Sequence, residues 1–103
     1  MLIYISGPMS DVPELNKPVF DAMEKYLLSI GHTAWNPANL IDPTGTLEWM
    51  DFMLLDLQGL RGCDAVIFLQ NWEQSYGARI EYLCAEKLGK QLFFHKDDVP
   101  ISN

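Results

Sequence analysis

Two carboxylates stand out by the residues around them. Glu81 closes the run S-Y-G-A-R-I-E, six residues after Ser75. On a helix its neighbours three and four positions away are Gly77, Ala78, Cys84 and Ala85, while Arg79, Glu86 and Lys90 fall on the solvent side. Small residues around a carboxylate leave room for a ligand. A place in the first helical turns puts Glu81 near the positive end of the helix dipole, which favours the ionised form. Such a carboxylate suits attack or charge stabilisation at an electrophilic carbon; the plainer alternative is an acid that only complements the dipole. Asp56 is embedded in an apolar stripe of Trp49, Phe52, Met53 and Leu60. Its pKa should rise there unless it is paired. Either Arg61 or a backbone amide satisfies it, or it serves as an acid or a base-recognising group.

The elements that would position these groups follow from periodicity. Residues 65–69 form a short apolar run, then a polar, aromatic loop leads into the helix that carries Glu81. In open α/β sheets ligands bind beyond the carboxyl ends of the strands, so residues 72–81 form the candidate site. Residues 2–5 read as a strand buried on both faces. Ser6, Gly7, Pro8, Met9 and Ser10 then turn the chain, either lining the site or making a turn and nothing more. This loop is neither a dinucleotide-binding fingerprint nor a P-loop.

Asn16 is expected to cap a first helix with Phe20, Met23, Leu27 and Ile30 on its core face and Gly31 as its stop. Residues 32–35 read as a second strand ended by Asn36 and Pro37, with Asn36 either capping the turn or reaching a ligand. Thr46 is expected to cap a second helix to about residue 60, apolar nearly all round, with Leu47, Met50, Leu54 and Leu57 on one face. Such a helix is deeply buried or shared between subunits, which points to a homo-oligomer. The third helix should bury Ile80, Leu83, Cys84 and Leu88, before Gly89 and a fourth strand at 91–94. A polar tail, 95–103, ends in a short extra strand or reaches a neighbouring subunit. The alternation predicts an α/β fold: a three-layer flavodoxin-like or Rossmann-like sandwich with a four- to five-stranded parallel sheet.

At 103 residues and 49% apolar content the chain is expected to be a single domain, 1–103. A net charge of -7, from 7 basic and 14 acidic residues, argues against nucleic acid as a partner. Cys63 and Cys84 lack metal-site spacing and read as reduced core residues. The first residues carry no basic leader, and no apolar run nears the ~20 residues that span a bilayer. A soluble, cytoplasmic protein without metal or membrane partner is expected.

Four segments together carry a resemblance: Tyr4-Ile-Ser-Gly-Pro, Asp56-Leu-x-x-Leu60, Cys63-Asp64-Ala-Val and Ser75-x-Gly77-x-x-x-Glu81. Over residues 2–94 the chain resembles the nucleoside 2-deoxyribosyltransferase superfamily, which includes the 2′-deoxynucleoside 5′-phosphate N-hydrolases. It is most like small, largely uncharacterised relatives often encoded by phages. The resemblance implies that Glu81 attacks C1′ of a 2-deoxyribosyl group and that Asp56 contacts or protonates the departing base. Tyr4 and Gly7 would line the pocket and help position Glu81. Ser75 falls where transferases tend to carry aspartate and the 5′-phosphate hydrolases serine, which leans toward a monophosphate substrate. Backbone amides at 7–10 and 75–77, in loops that include Ser6, Pro8 and Ser10, would hold the anion. Trp72 is a base-stacking platform or packs over the sheet edge, and Arg79 points outward or reaches a phosphate. The implied activity is cleavage or exchange of an N-glycosidic bond in a 2′-deoxynucleoside or its 5′-monophosphate, without cofactor. The alternative is a non-catalytic protein that binds a nucleotide or an NAD-derived signal.

Overall fold

The computed structural model describes residues 1–102. Four strands, β1 (Leu2–Ser6), β2 (Thr33–Trp35), β3 (Ala65–Phe68) and β4 (Gln91–Phe93), form a parallel sheet in the order β2-β1-β3-β4. β1 is central, so its residues are covered on both faces, which is why its run is continuously apolar apart from its last residue. Side chains alternate along it. Ile3 and Ile5, with Ala65, Ile67 and Phe93, pack on Phe20 and Leu27 of helix α1 (Lys17–Ser29). Tyr4, with Val66 and Phe68, faces the other layer through Leu60 of α2 (Trp49–Arg61) and Ala85 of α3 (Tyr76–Lys87). The result is a three-layer α/β sandwich, with α1 on one face of the sheet and α2 and α3 on the other.

Several local expectations are corrected. No fifth strand forms among the described residues of the tail. Instead Val99 is buried, His32 Nε2 donates to the Pro100 carbonyl at 2.6 Å, and the Ser102 amide donates to the Ile30 carbonyl at 2.8 Å. The tail thus satisfies groups at the end of α1, and the expectation for residue 103 lies outside the described residues. α2 begins at Trp49 and is not capped by Thr46. Asp51 accepts from the Glu48 amide at 2.8 Å, while the Thr46 and Leu47 amides bind the Asp42 carboxylate in the preceding turn. Asn16 stands before α1 in a left-handed conformation, and its side-chain amide donates to the Pro8 carbonyl at 2.9 Å rather than capping the helix.

The helix faces differ most. α2 turns Met53, Asp56 and Leu60 inward and leaves Met50 and Leu54 57% and 60% exposed. α3 buries Ala78, Glu81 and Ala85, while Leu83 and Leu88 are exposed. Gly77 lies so close to α2 that a Cβ there would be 3.2 Å from Met53 Sδ. Small residues permit that approach, and they rotate a carboxylate into the interior where apolar periodicity alone would place leucines.

Candidate active site

Tyr4 and Ser6 are two residues apart on β1, so they share the sheet face that meets α3. Both donate to Glu81: the Tyr4 hydroxyl to Oε2 and the Ser6 hydroxyl to Oε1, each at 2.6 Å. The sequence leaves no slack in this arrangement. Tyr4 stacks on Trp35 with ring centroids 5.2 Å apart and an interplanar angle of 15°. Trp35 in turn lies against Gly59 of α2, where any Cβ would collide with the indole. Gly7 approaches Leu69 just as closely: an added Cβ would meet Leu69 Cβ at 2.8 Å, which ties the loop after β1 to the end of β3.

Glu81 is 4% exposed, and burial pushes its pKa up to about 7. The hydrogen bonds from Ser6 and Tyr4 oppose that rise, and the nearby Asp56 charge adds to it. Burial therefore overrides the dipole argument for ready ionisation. Asp56 is 8% exposed, and burial raises it to about 7 as well. Arg61 does not pair with it: Asp56 Oδ1 is buried without a hydrogen-bond partner. Burial, then the charge of Glu81, holds the Tyr4 hydroxyl well above the usual phenol range, so it remains a donor.

Both carboxylates line one cavity of about 460 Å³, within the size range of small-ligand pockets. Of the residues singled out from sequence, Gly7, Ser10, Asp56, Ser75, Gly77 and Glu81 are in its wall. Tyr4 and Ser6 stand behind Glu81 and hold it. Ser75 is the N-cap of α3, its hydroxyl accepting from the Ala78 amide at 3.2 Å. Pro8 borders an adjoining shallow groove with Ser10 and Tyr76.

Asn36 and Trp72 do not reach the cavity. Asn36 takes the capping role: its Oδ1 accepts from the Ala38 amide at 2.9 Å and its Nδ2 donates to Asp21 and Glu24. It thereby fixes the Pro37–Asn39 turn, whose Pro37 and Ala38 do line the cavity. Trp72 packs with Phe68, Tyr82 and Phe94, at centroid distances of 4.9, 5.1 and 5.8 Å, outside the cavity wall. The aromatic rings bordering the cavity are Trp49 and Phe52. Both belong to the apolar stripe around Asp56, and their helical spacing to that carboxylate is the signal in the sequence that places them beside it in the cavity wall. Glu14, Lys17 and Asp42 also reach the wall without having been singled out, because they come from loops and a helix start that carry no motif. Arg79 points outward, its guanidinium 4.7 Å from the centre of the Tyr76 ring. No group of side chains suited to hold a metal ion occurs among the described residues.

Chemically, the cavity holds two carboxylates that change charge near neutrality in different settings. Glu81 receives two hydroxyl donors, which favour it as the ionised member. Asp56 Oδ1 receives none, which favours it as the protonated one. Such a pair can offer a nucleophile and a proton donor to one bound molecule.

The architecture has the fold of the 2-deoxyribosyltransferases. The enzyme of the psychrotolerant bacterium Bacillus psychrosaccharolyticus, described as a biocatalyst for nucleoside synthesis, matches with a TM-score of 0.68 and 21% identity. That match covers 89% of this chain and 69% of the other. The 2-deoxyribosyltransferase of Leishmania mexicana matches with a TM-score of 0.67 and 20% identity, over 88% of this chain and 61% of the other. At such identities the likeness is one of fold, and the chain spans roughly two thirds of either enzyme. No curated protein sequence matches the chain. Residues 1–94 match the family described as Domain of unknown function (DUF4406), and the chain belongs to that family.

Proposed function

We propose that the protein breaks or exchanges the N-glycosidic bond of 2′-deoxynucleosides or their 5′-monophosphates through a covalent glycosyl-Glu81 intermediate. The observation that carries this reading is the meeting of Glu81, oriented by Tyr4 and Ser6, with the unpartnered Asp56 at one cavity. The Glu81 carboxylate attacks C1′ as the bond to the base nitrogen breaks, and Asp56 supplies the proton that the leaving nitrogen takes up. Water or a second base then attacks C1′, its proton passing to the Asp56 carboxylate, as the bond from C1′ to Glu81 breaks. Ser75, Gly77, Trp49 and Phe52 all line the cavity; in this reading the first two take the sugar and the two aromatic rings offer apolar surface to the base. No cofactor is needed for these steps. The exposed apolar residues of α2 and α3, including Met50, Leu54 and Leu83, support a homo-oligomer, and the reduced cysteines fit a cytoplasmic setting.

The test is to incubate wild type and Glu81→Ala with a panel of deoxynucleosides and deoxynucleoside monophosphates and follow free base by chromatography. Base release by wild type that is lost in the variant is the expected result. Release that survives Glu81→Ala refutes the nucleophile, and tight nucleotide binding by both proteins without any release identifies a sequestering protein instead.

A further inference from the structure

The charge of the cavity wall bears on which substrates enter it. Four carboxylates line it, Glu14, Asp42, Asp56 and Glu81, and among the described lining residues Lys17 is the one cation. Lys17 is engaged at the surface: its Nζ lies 3.0 Å from Asp21 Oδ2 and donates to Asn39 Oδ1 at 3.4 Å. Arg79, the cation nearest in sequence to Ser75 and Gly77, is on the outer surface over the Tyr76 ring. The Ser75 hydroxyl is fixed as the cap of α3 by the Ala78 amide. A phosphomonoester carries roughly −1.5 to −2 charges at pH 7 and gives up strong hydration on binding. Arg or Lys normally offsets that loss; here the wall, among the described residues, offers no unpaired cation, and Glu14, Asp42 and Glu81, the member of the buried pair favoured as ionised, face the ligand while Asp56 is the protonated one. The cavity, at about 460 Å³, has the size of sites for whole small ligands, so exclusion of a phosphate would be a matter of charge and not of space.

We infer that the cavity selects 2′-deoxynucleosides without a 5′-phosphate and rejects the monophosphates electrostatically. This reverses the lean toward monophosphates that Ser75 suggested, and it rests on the proposed reading of the cavity as a nucleoside site.

The experiment is calorimetric titration of the protein with four matched pairs, each a 2′-deoxynucleoside and its 5′-monophosphate, at low and high salt. The expected result is nucleoside binding tighter by at least about tenfold at low salt, a gap that narrows as salt screens the wall. Glu14→Lys, at an exposed position of that wall, should narrow the gap by improving monophosphate binding. Equal or tighter binding of the monophosphates, a gap insensitive to salt, or binding of neither member overturns the inference. Base release measured on the same pairs separates the two readings. Preferential nucleoside binding without release refutes the catalytic proposal and leaves this one standing; release from tightly bound monophosphates does the reverse.

Discussion

Replacing Glu81 with glutamine should change how stability depends on pH, whatever the protein acts upon. Burial raises the Glu81 pKa from 4.5 to about 7. Between those values the native state keeps a proton that the unfolded chain has lost. Stability from this group is therefore full below about pH 4.5 and is lost as pH rises through about 7. With about 1.4 kcal/mol for each pKa unit, the share lost between pH 5 and pH 8 is about 2–3 kcal/mol. That is a large part of the about 5–15 kcal/mol that holds a small domain folded. Asp56, raised to about 7 by burial, acts in the same direction, so wild type should fall further still. A glutamine side chain keeps the shape of the glutamate and leaves a neutral acceptor and donor for Tyr4 and Ser6. Urea unfolding followed by tryptophan fluorescence at pH 5, 6, 7 and 8 measures the difference. The Glu81→Gln protein should lose about 2–3 kcal/mol less than wild type across that window. Identical pH profiles for the two proteins would mean that Glu81 ionises freely when folded and that its burial has been misjudged.

Tyr4→Phe removes one of two hydroxyl donors to the Glu81 carboxylate. A hydrogen bond to a charged group is worth about 1.5–3 kcal/mol, so the acidic limb of base release should move up by about 1–2 pH units in a pH–rate profile. Gly59→Ala tests the packing behind Tyr4: helix propensity alone favours alanine by about 1 kcal/mol. Because any Cβ collides with Trp35, the variant should instead lose about 1–3 kcal/mol, seen as a lower midpoint in thermal melting. Leu54→Glu places a charge on the exposed face of α2 and should shift a homo-oligomer toward monomer in light scattering, with little change in monomer stability.

Much of the fold is legible because hydrophobic runs and breakers agree. The apolar runs at residues 2–5 and 65–69, with Gly31 and Gly89 after their helices, locate the central strands and the ends of α1 and α3 to within a residue or two. Glu81 and Asp56 are also legible, because each is a carboxylate with small or apolar neighbours at helical spacing. What the chain does not reveal locally is the facing of α2 and α3. Leucines at 54, 83 and 88 satisfy a helical period, yet α3 buries Ala78, Glu81 and Ala85 and approaches α2 closely at Gly77, and only the packed structure decides between the two faces. Of the two roles open to Trp72, packing over the sheet edge is the one the structure shows, for a related reason. Its neighbours in sequence point to the loop beyond β3, whereas its partners Tyr82 and Phe94 come from later segments that the sheet brings back. The cavity wall is hardest to read, since Glu14, Pro37 and Asp42 belong to two separate connections and Lys17 to the start of α1.

The lone oxygen of Asp56, buried with nothing to bind, also says which way the sequence would drift. Were the gene carried along with no demand but that its product fold, substitutions that strip charge from positions 56 and 81 would be favoured variants, not tolerated ones. A population selected only for soluble expression should therefore lose these two acids early while keeping Gly59, Trp35 and the strand residues. One selected for whatever the cavity does should keep them at a standing cost in robustness to heat and mutation. Deep mutational scanning under the two regimes would read the protein's purpose from the difference.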